Sequence, residues 1–308
     1  MLIFLPMDPV THTLVGVGIG NAVFKKRVGR GAVPILAIAS NLPDIDALIH
    51  LSGDPTSVLM RRTLGHSLLL LPIWAFLLSL IFRRFYPEHS LGRLYGMTLC
   101  GAFAHLFFDL VNSFGVVLLW PFSDWRPELA IIFIIDLMLT GLLAAPLILA
   151  LIPKLRPRLV MMSRVSIILV GLYAALCGAS RFMAAYALAA EASQIGINPD
   201  FQYVFPEPFG AHRWKGVIRE GNQYHLYVVH SASGRVEKKD EVQTKRGDPR
   251  VEAIRNTDLS KKIEWFFKAP VWSVHEETGE VGVYDIRFRS LLIERDIPFV
   301  YRFSLSDQ

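Results

Sequence analysis

The sequence is poor in cysteine, and its first two thirds are poor in acidic residues. Only two cysteines occur in 308 residues, Cys100 and Cys177, and both fall inside apolar stretches. That excludes a disulfide framework and a thiolate zinc site, each of which needs paired cysteines at set spacings. The N-terminal MLIFLPMD is too short for a secretory signal peptide and lacks its basic leading region; Met7 is an alternative start. No internal repeat and no low-complexity tract is present. The Gly16-x-Gly18-x-Gly20 run lacks the strand-to-helix setting of a nucleotide fingerprint and reads as small residues at a helix interface.

Residues 1–197 carry 15 Lys+Arg against 10 Asp+Glu, whereas residues 198–308 carry 17 of each. The whole net charge of +5 therefore belongs to the first part. Its basic residues sit in short connections between hydrophobic runs, so membrane orientation explains them and nucleic-acid binding is not expected.

Apolar residues make up 52% of the chain, with a mean hydropathy of +0.38, and they concentrate before about residue 192. Six runs, at about 10–24, 31–51, 64–82, 93–111, 129–152 and 165–190, predict an α-helical integral membrane bundle of about six segments. The last four approach or exceed the ~20 residues that cross a bilayer; the first two are shorter and broken by Gly and Pro. Lys25-Lys26-Arg27 with Arg30, Arg83-Arg84 with Arg93, and Lys154, Arg156, Arg158 and Arg164 supply 11 of the 15 basic residues. They fall at alternate turns, which places those loops in the cytoplasm. Arg61-Arg62 is the exception. After Asn198-Pro199 the pattern changes to β-branched and aromatic segments such as Tyr224–His230 and Val281–Phe288, separated by Gly221-Asn222, Ser233-Gly234 and Thr278-Gly279. The expected division is a helical metal-site domain, 1–192, and a mostly β extramembrane domain, 198–308, on the periplasmic side.

His105 and Asp109 share one face of the fourth run. An imidazole and a carboxylate in hydrocarbon are costly unless paired, solvated or bound. On the expected topology His12, Asp44, Asp46, His66, His105, Asp109 and Asp136 lie at similar depth near the outer face. Imidazole and carboxylate donors without thiolate suit a divalent metal, zinc first, with manganese and iron as alternatives. The expected ligands are His12, Asp46, His66, His105 and Asp109. Asp44 follows Pro43 at a helix start and stands open between direct ligand in place of Asp46, helix cap, partner holding an imidazole N–H and acid in catalysis. Asp136 is a second catalytic candidate, open between ligand, proton carrier and packing residue. Arg61 and Arg62 are either anion binders beside the metal or contacts to lipid headgroups. His50, one turn after Asp46, is a further possible ligand. Arg181 reads as snorkelling or paired within the bundle.

Met7-Asp8-Pro9-Val10-Thr11-His12, Leu42-Pro43-Asp44-Ile45-Asp46, Arg62-Thr63-Leu64-Gly65-His66-Ser67 and His105-x-x-x-Asp109 stand in an order that resembles the YdjM-like membrane-bound metal-dependent hydrolases. Pro121-Phe122-Ser123 and Phe133-Ile134-Ile135-Asp136 also fit that pattern, and the resemblance is good over about 7–140. A more distant similarity, in the order His, Asp, His, HxxxD, is to zinc-dependent phospholipase C, although no second His-x-x-x-Asp/Glu pair follows Asp109. The resemblance implies metal-dependent hydrolysis; Arg61, Arg62 and the more distant similarity point to a phosphoester or similar anionic substrate, a lipid among the candidates, and the expected topology to the outer leaflet of the bacterial inner membrane. The rival readings are a proton- or metal-coupled transporter, for which polar residues in the cytoplasmic half would speak, and a non-catalytic envelope scaffold.

Overall fold

Breaks in the backbone, rather than the length of the apolar runs, decide where helices end. A computed structural model of the chain describes residues 9–52, 55–208, 210–292 and 300–304, without the side chains of 49–52 and 55. Met7, Asp8 and the His50 side chain lie outside these. Two compact units divide between Cys177 and Gly178, ahead of the change in composition at Asn198-Pro199.

In the first unit α1 (Pro9–Ile19) runs through one wide π turn, Gly20–Phe24, into α2 (Lys25–Val28). The chain reverses at Gly29–Gly31, and α3 (Ala32–Ala39) returns along α1. Two 3-10 stretches follow, Leu42–Ser52 and Pro55–Met60, and then an irregular loop to Leu70. Pro72 opens α4 (Leu71–Phe85), as proline does where the first helical N–H has no partner anyway. Ser90 caps α5 (Leu91–Val111) and Asp136 caps α6 (Leu137–Leu149); α7 (Leu159–Gln194) is the longest helix.

These boundaries overturn the six-segment bundle. Among the described residues two helical stretches are long and apolar enough to cross a membrane, Leu91–Val111 and Arg156–Gln194. The apolar α6 has 13 residues, about 20 Å against a hydrocarbon layer of about 30 Å. Pro43 and the 3-10 turns end the second run, the third is helical only from Leu71, and the Asp136 cap halves the fifth. Hydropathy registers an apolar run but not whether its backbone is continuous.

The packing that matters for the site is α1 on α3 and α3 on α5. A Cβ at Gly16 would lie 2.3 Å from the Leu36 carbonyl oxygen and 2.4 Å from Ser40 Oγ, so only glycine lets the two backbones meet. Ile35 and Leu36 of α3 pack with Phe82, Leu94 and Met97, while Leu71, Ala102, Leu106 and Val116 form an adjacent cluster.

The second unit holds a four-stranded antiparallel sheet in the order β1 (Phe201–Pro206), β2 (Arg213–Glu220), β3 (Gln223–His230), β4 (Arg235–Gln243). Gly221 and Gly234 take positive φ at two of its turns. Ala184, Leu188 and Ala192 at the end of α7 pack with Trp214, Ile218 and Tyr227 of the sheet. Phe205, Val217 and Leu226 pack with Ala269, Val271 and Ile286. Helices α8 (Pro249–Arg255) and α9 (Asp258–Phe266) precede a second sheet of β5 (Pro270–Val274), β6 (Val281–Asp285) and β7 (Tyr301–Phe303).

Candidate metal centre

Four elements of the first unit deliver buried imidazoles and carboxylates to one spot. His12 comes from α1, Asp44 from the 3-10 stretch, His66 from the loop before α4, and His105 and Asp109 from successive turns of α5. His12, His66, His105 and Asp109 are all at most 4% exposed. His66 Nε2 lies 3.2 Å from His105 Nε2 and 3.0 Å from Asp109 Oδ2, and His105 Nε2 lies 3.5 Å from the same Oδ2. The His12 ring stacks on His105 at 3.8 Å between centroids, with its Nε2 3.2 Å from Asp109 Oδ1. Asp44 Oδ1 completes the group at 4.0 Å from His66 Nε2 and 3.9 Å from His105 Nε2.

The outer ring nitrogens of His105 and His66 are committed. His105 Nδ1 is 2.8 Å from the Ser40 carbonyl oxygen. A carbonyl only accepts, so this nitrogen carries the proton and the neutral ring offers a lone pair at Nε2. His66 Nδ1 meets Asp46 Oδ2 at 3.0 Å, which fixes its ring the same way. Two Nε2 lone pairs then face each other at 3.2 Å, which is repulsive unless a proton or a metal ion lies between them. Imidazoles oriented by a carboxylate and a carbonyl are the usual support of a metal site. Two overlapping sets, His12, His105 and Asp109, and Asp44, His66 and His105, each keep their donor atoms within 4.8 Å of one another. Asp44 Oδ2 and Asp109 Oδ1 are buried without a hydrogen bond. Asp109 Oδ1 does have charged neighbours, Arg62 Nη2 at 2.7 Å and His12 Nε2 at 3.2 Å. Unsatisfied oxygens facing imidazole lone pairs fit a divalent cation.

Of the two neighbouring aspartates, the geometry turns to the imidazoles the one that the sequence did not prefer. Asp46, expected as a ligand, is filled by three donors: Thr63 N–H at 2.9 Å, Gly65 N–H at 2.6 Å and His66 Nδ1–H. It holds the 61–67 loop and aims His66. Gly65 makes this possible, since a Cβ there would lie 2.1 Å from the Pro43 carbonyl oxygen. Asp44, the alternative ligand, is the one facing the imidazoles.

The adjacent arginines also diverge. Arg62, in left-handed backbone at φ 62, turns inward. Besides its contact with Asp109 Oδ1, its Nη1 donates to Asn112 Oδ1 at 3.0 Å and to the carbonyl oxygens of Asp109 and Gly115, each at 3.3 Å, and its guanidinium lies 4.8 Å from the centre of the Phe114 ring. So engaged, it positions Asp109 rather than clamping a substrate. Arg61, also buried, directs Nη2 at Asp44 Oδ1, 3.9 Å away. Asp136 is occupied elsewhere: Oδ1 accepts from Leu139 N–H as the cap of α6 and Oδ2 accepts from the Tyr173 hydroxyl at 2.8 Å. Neither of these contacts involves the imidazole cluster.

Two contributors escaped the sequence reading. The Ser40 carbonyl has no side-chain signature, and its hydroxyl also donates to the His12 carbonyl oxygen at 2.7 Å. Asn112, one turn beyond Phe108 at the end of α5, could have been noticed as a polar residue following the His105–Asp109 pair.

The family model described as YdjM inner membrane protein matches residues 7–188. That description states a membrane location and no reaction. "Uncharacterized protein YfhP" of Bacillus subtilis (strain 168) is 30% identical over 137 residues, 42% of this chain and 42% of that protein. The chain thus matches less than half the length of this relative. No solved structure matches.

Proposed function

We propose that this protein, which belongs to the YdjM inner membrane protein family, is a membrane-bound metal-dependent hydrolase of phosphoester or similar anionic, lipid-like substrates. The observation that carries the reading is the convergence of three buried imidazoles and two carboxylates on one point. His12, His105 and Asp109, with Asp44 and His66, would hold a divalent ion, and a donor set of imidazole and carboxylate without thiolate favours zinc over manganese or iron. When bound, such an ion supplies Lewis acidity and an activated water. The Asp46 carboxylate and the Ser40 carbonyl keep the lone pairs of His66 and His105 pointed inward. Arg62 holds Asp109 in place. Arg61 is the cation left to receive an anionic group beside Asp44.

The proposed location is the bacterial inner membrane. Lys154, Arg156, Arg158 and Arg164 cluster at the start of α7, which puts that end in the cytoplasm and sends the C-terminal unit to the periplasm. The test is metal analysis of purified full-length protein followed by a phosphoesterase assay on a lipid phosphate. Stoichiometric metal in the wild type, lost in His105→Ala and Asp109→Ala while both still insert, is expected. A wild type with no stoichiometric ion would sink the reading.

A further inference from the structure

We infer that Arg181, Lys268 and Tyr203 form a site for the phosphate of an anionic phospholipid headgroup, separate from the metal centre. The site lies wholly in the C-terminal unit. The Arg181 guanidinium lies 5.0 Å from the centre of the Tyr203 ring, and Lys268 Nζ lies 4.7 Å from the same centre. Two cations share one aromatic platform, which is steadied by Phe201 and Phe205 on the same strand, at 6.1 and 4.7 Å between ring centroids. Among the described residues no carboxylate comes within ion-pair distance of Arg181, and its Nε is buried without a hydrogen-bond partner. A buried guanidinium N–H left in this state wants an acceptor, and a planar guanidinium matches the oxygens of a phosphate.

The position along α7 selects the source of that phosphate. From Leu159 to Arg181 the helix rises about 33 Å at 1.5 Å per residue, one hydrocarbon thickness. Over that length Val165, Ile168, Leu172 and Leu176 are exposed, as lipid-facing residues are. Beside Arg181, Phe182 and Tyr186 are 73% and 74% exposed, the aromatic pattern of a membrane interface. Arg181 therefore stands at headgroup level, where phospholipid phosphates are the abundant anion. The inference rests on α7 crossing the bilayer, but not on the hydrolase reading.

The test uses full-length protein in detergent, titrated with phosphatidylglycerol or phosphatidylcholine and read by native mass spectrometry, alongside an alkaline wash of membranes. Wild type is expected to bind phosphatidylglycerol at least about tenfold more tightly than phosphatidylcholine, the worth of one charge-assisted hydrogen bond. Arg181→Gln and Lys268→Gln should each lose most of that preference, Arg181→Lys should keep part of it, and Lys239→Gln on the exposed β4 should keep it all. Equal lipid affinities in wild type, unchanged affinity in both glutamine variants, or displacement of the lipid by millimolar inorganic phosphate would each overturn the lipid site. If the wild-type chain leaves the membrane on alkaline washing, the spanning reading and the site fall together. If it stays and the lipid results fail, the site alone falls.

Discussion

Replacing Asp46 by asparagine separates the two aspartates cleanly. Its Oδ2 receives Thr63 N–H and His66 Nδ1–H, and its Oδ1 receives Gly65 N–H at 2.6 Å. An asparagine can keep its carbonyl oxygen on the first pair only by turning its NH2 toward the Gly65 N–H, donor against donor. Leaving one buried donor unmade costs about 1–3 kcal/mol, and losing charge assistance to the remaining bonds adds to it. The protein should therefore fold with a lower midpoint. Its His66 ring, no longer held by a carboxylate, should bind metal about 10–100-fold more weakly, or roughly 1.4–2.8 kcal/mol. It should still reach full stoichiometry at saturating ion, because no ligand is gone. Asp44→Asn removes a charged oxygen facing the imidazoles and should lower occupancy even at high ion concentration, with little effect on the midpoint. Competition titration against a chelating dye measures the affinities, and elemental analysis measures the occupancies. The reasoning is refuted if Asp46→Asn abolishes binding as completely as His105→Ala while Asp44→Asn binds like wild type.

Three further substitutions probe the frame. Gly16→Ala places a Cβ 2.3 Å from the Leu36 carbonyl oxygen, so α1 must move off α3 and take His12 with it; metal affinity should fall along with thermal stability, and an unchanged affinity would mean that His12 is not a ligand. Asp136→Asn keeps an acceptor for Leu139 N–H, and its NH2 can donate to the Tyr173 oxygen once that hydroxyl turns, so stability should fall by only about 1 kcal/mol with metal content and turnover unchanged; a loss of turnover in a folded variant would restore Asp136 to the site. In the C-terminal unit burial pushes the Glu264 carboxyl up, but the Arg255 fork at 2.7 and 3.1 Å and Trp272 Nε1–H at 3.0 Å outweigh it and hold its pKa below the usual value. Its stabilising effect is therefore present above the unfolded value of about 4.3 and lost as pH falls through the lower folded value; Glu264→Gln should flatten the acid limb of an unfolding curve followed by fluorescence of the buried Trp272, and an unaltered limb would contradict the assignment.

How much of this was legible depends on whether a feature is written in residue type or in backbone path. The His105–Asp109 pair was readable because four-residue spacing survives any packing of α5, and because such groups are too costly in an apolar run to be incidental. The convergence of His12 and His66 on that pair could be expected from their order along the chain. The division of labour between Asp44 and Asp46 could not. Residues two apart diverge on either type of helix, but the chain here winds as a 3-10 stretch, and which side chain faces inward depends on how the 61–67 loop closes over it. Arg62 likewise reads as an anion binder or a headgroup contact until its left-handed backbone and inward contacts are seen. Asp136 carried a signal that deserved a different reading. An aspartate directly before an apolar helical run is a common N-cap, and here the cap also shortens the helix below bilayer length.

The charges gathered around the site argue for what it accepts. Asp44, Asp46 and Asp109 bring three carboxylates; Arg61 and Arg62 bring two guanidiniums within reach of two of them. With His66 and His105 held as neutral lone-pair donors, the cluster carries one negative charge in excess in a largely buried setting, where uncompensated charge is expensive. A proton shared among the imidazoles would restore neutrality and leave nothing to attract a ligand. A divalent cation instead carries the cluster to a net positive charge, with Arg61 directed at the carboxylate that faces the imidazoles. The same count that calls for the ion thus calls for an anionic group to follow it, and it accounts for two arginines in a stretch where the loop-charge rule alone had no place for them.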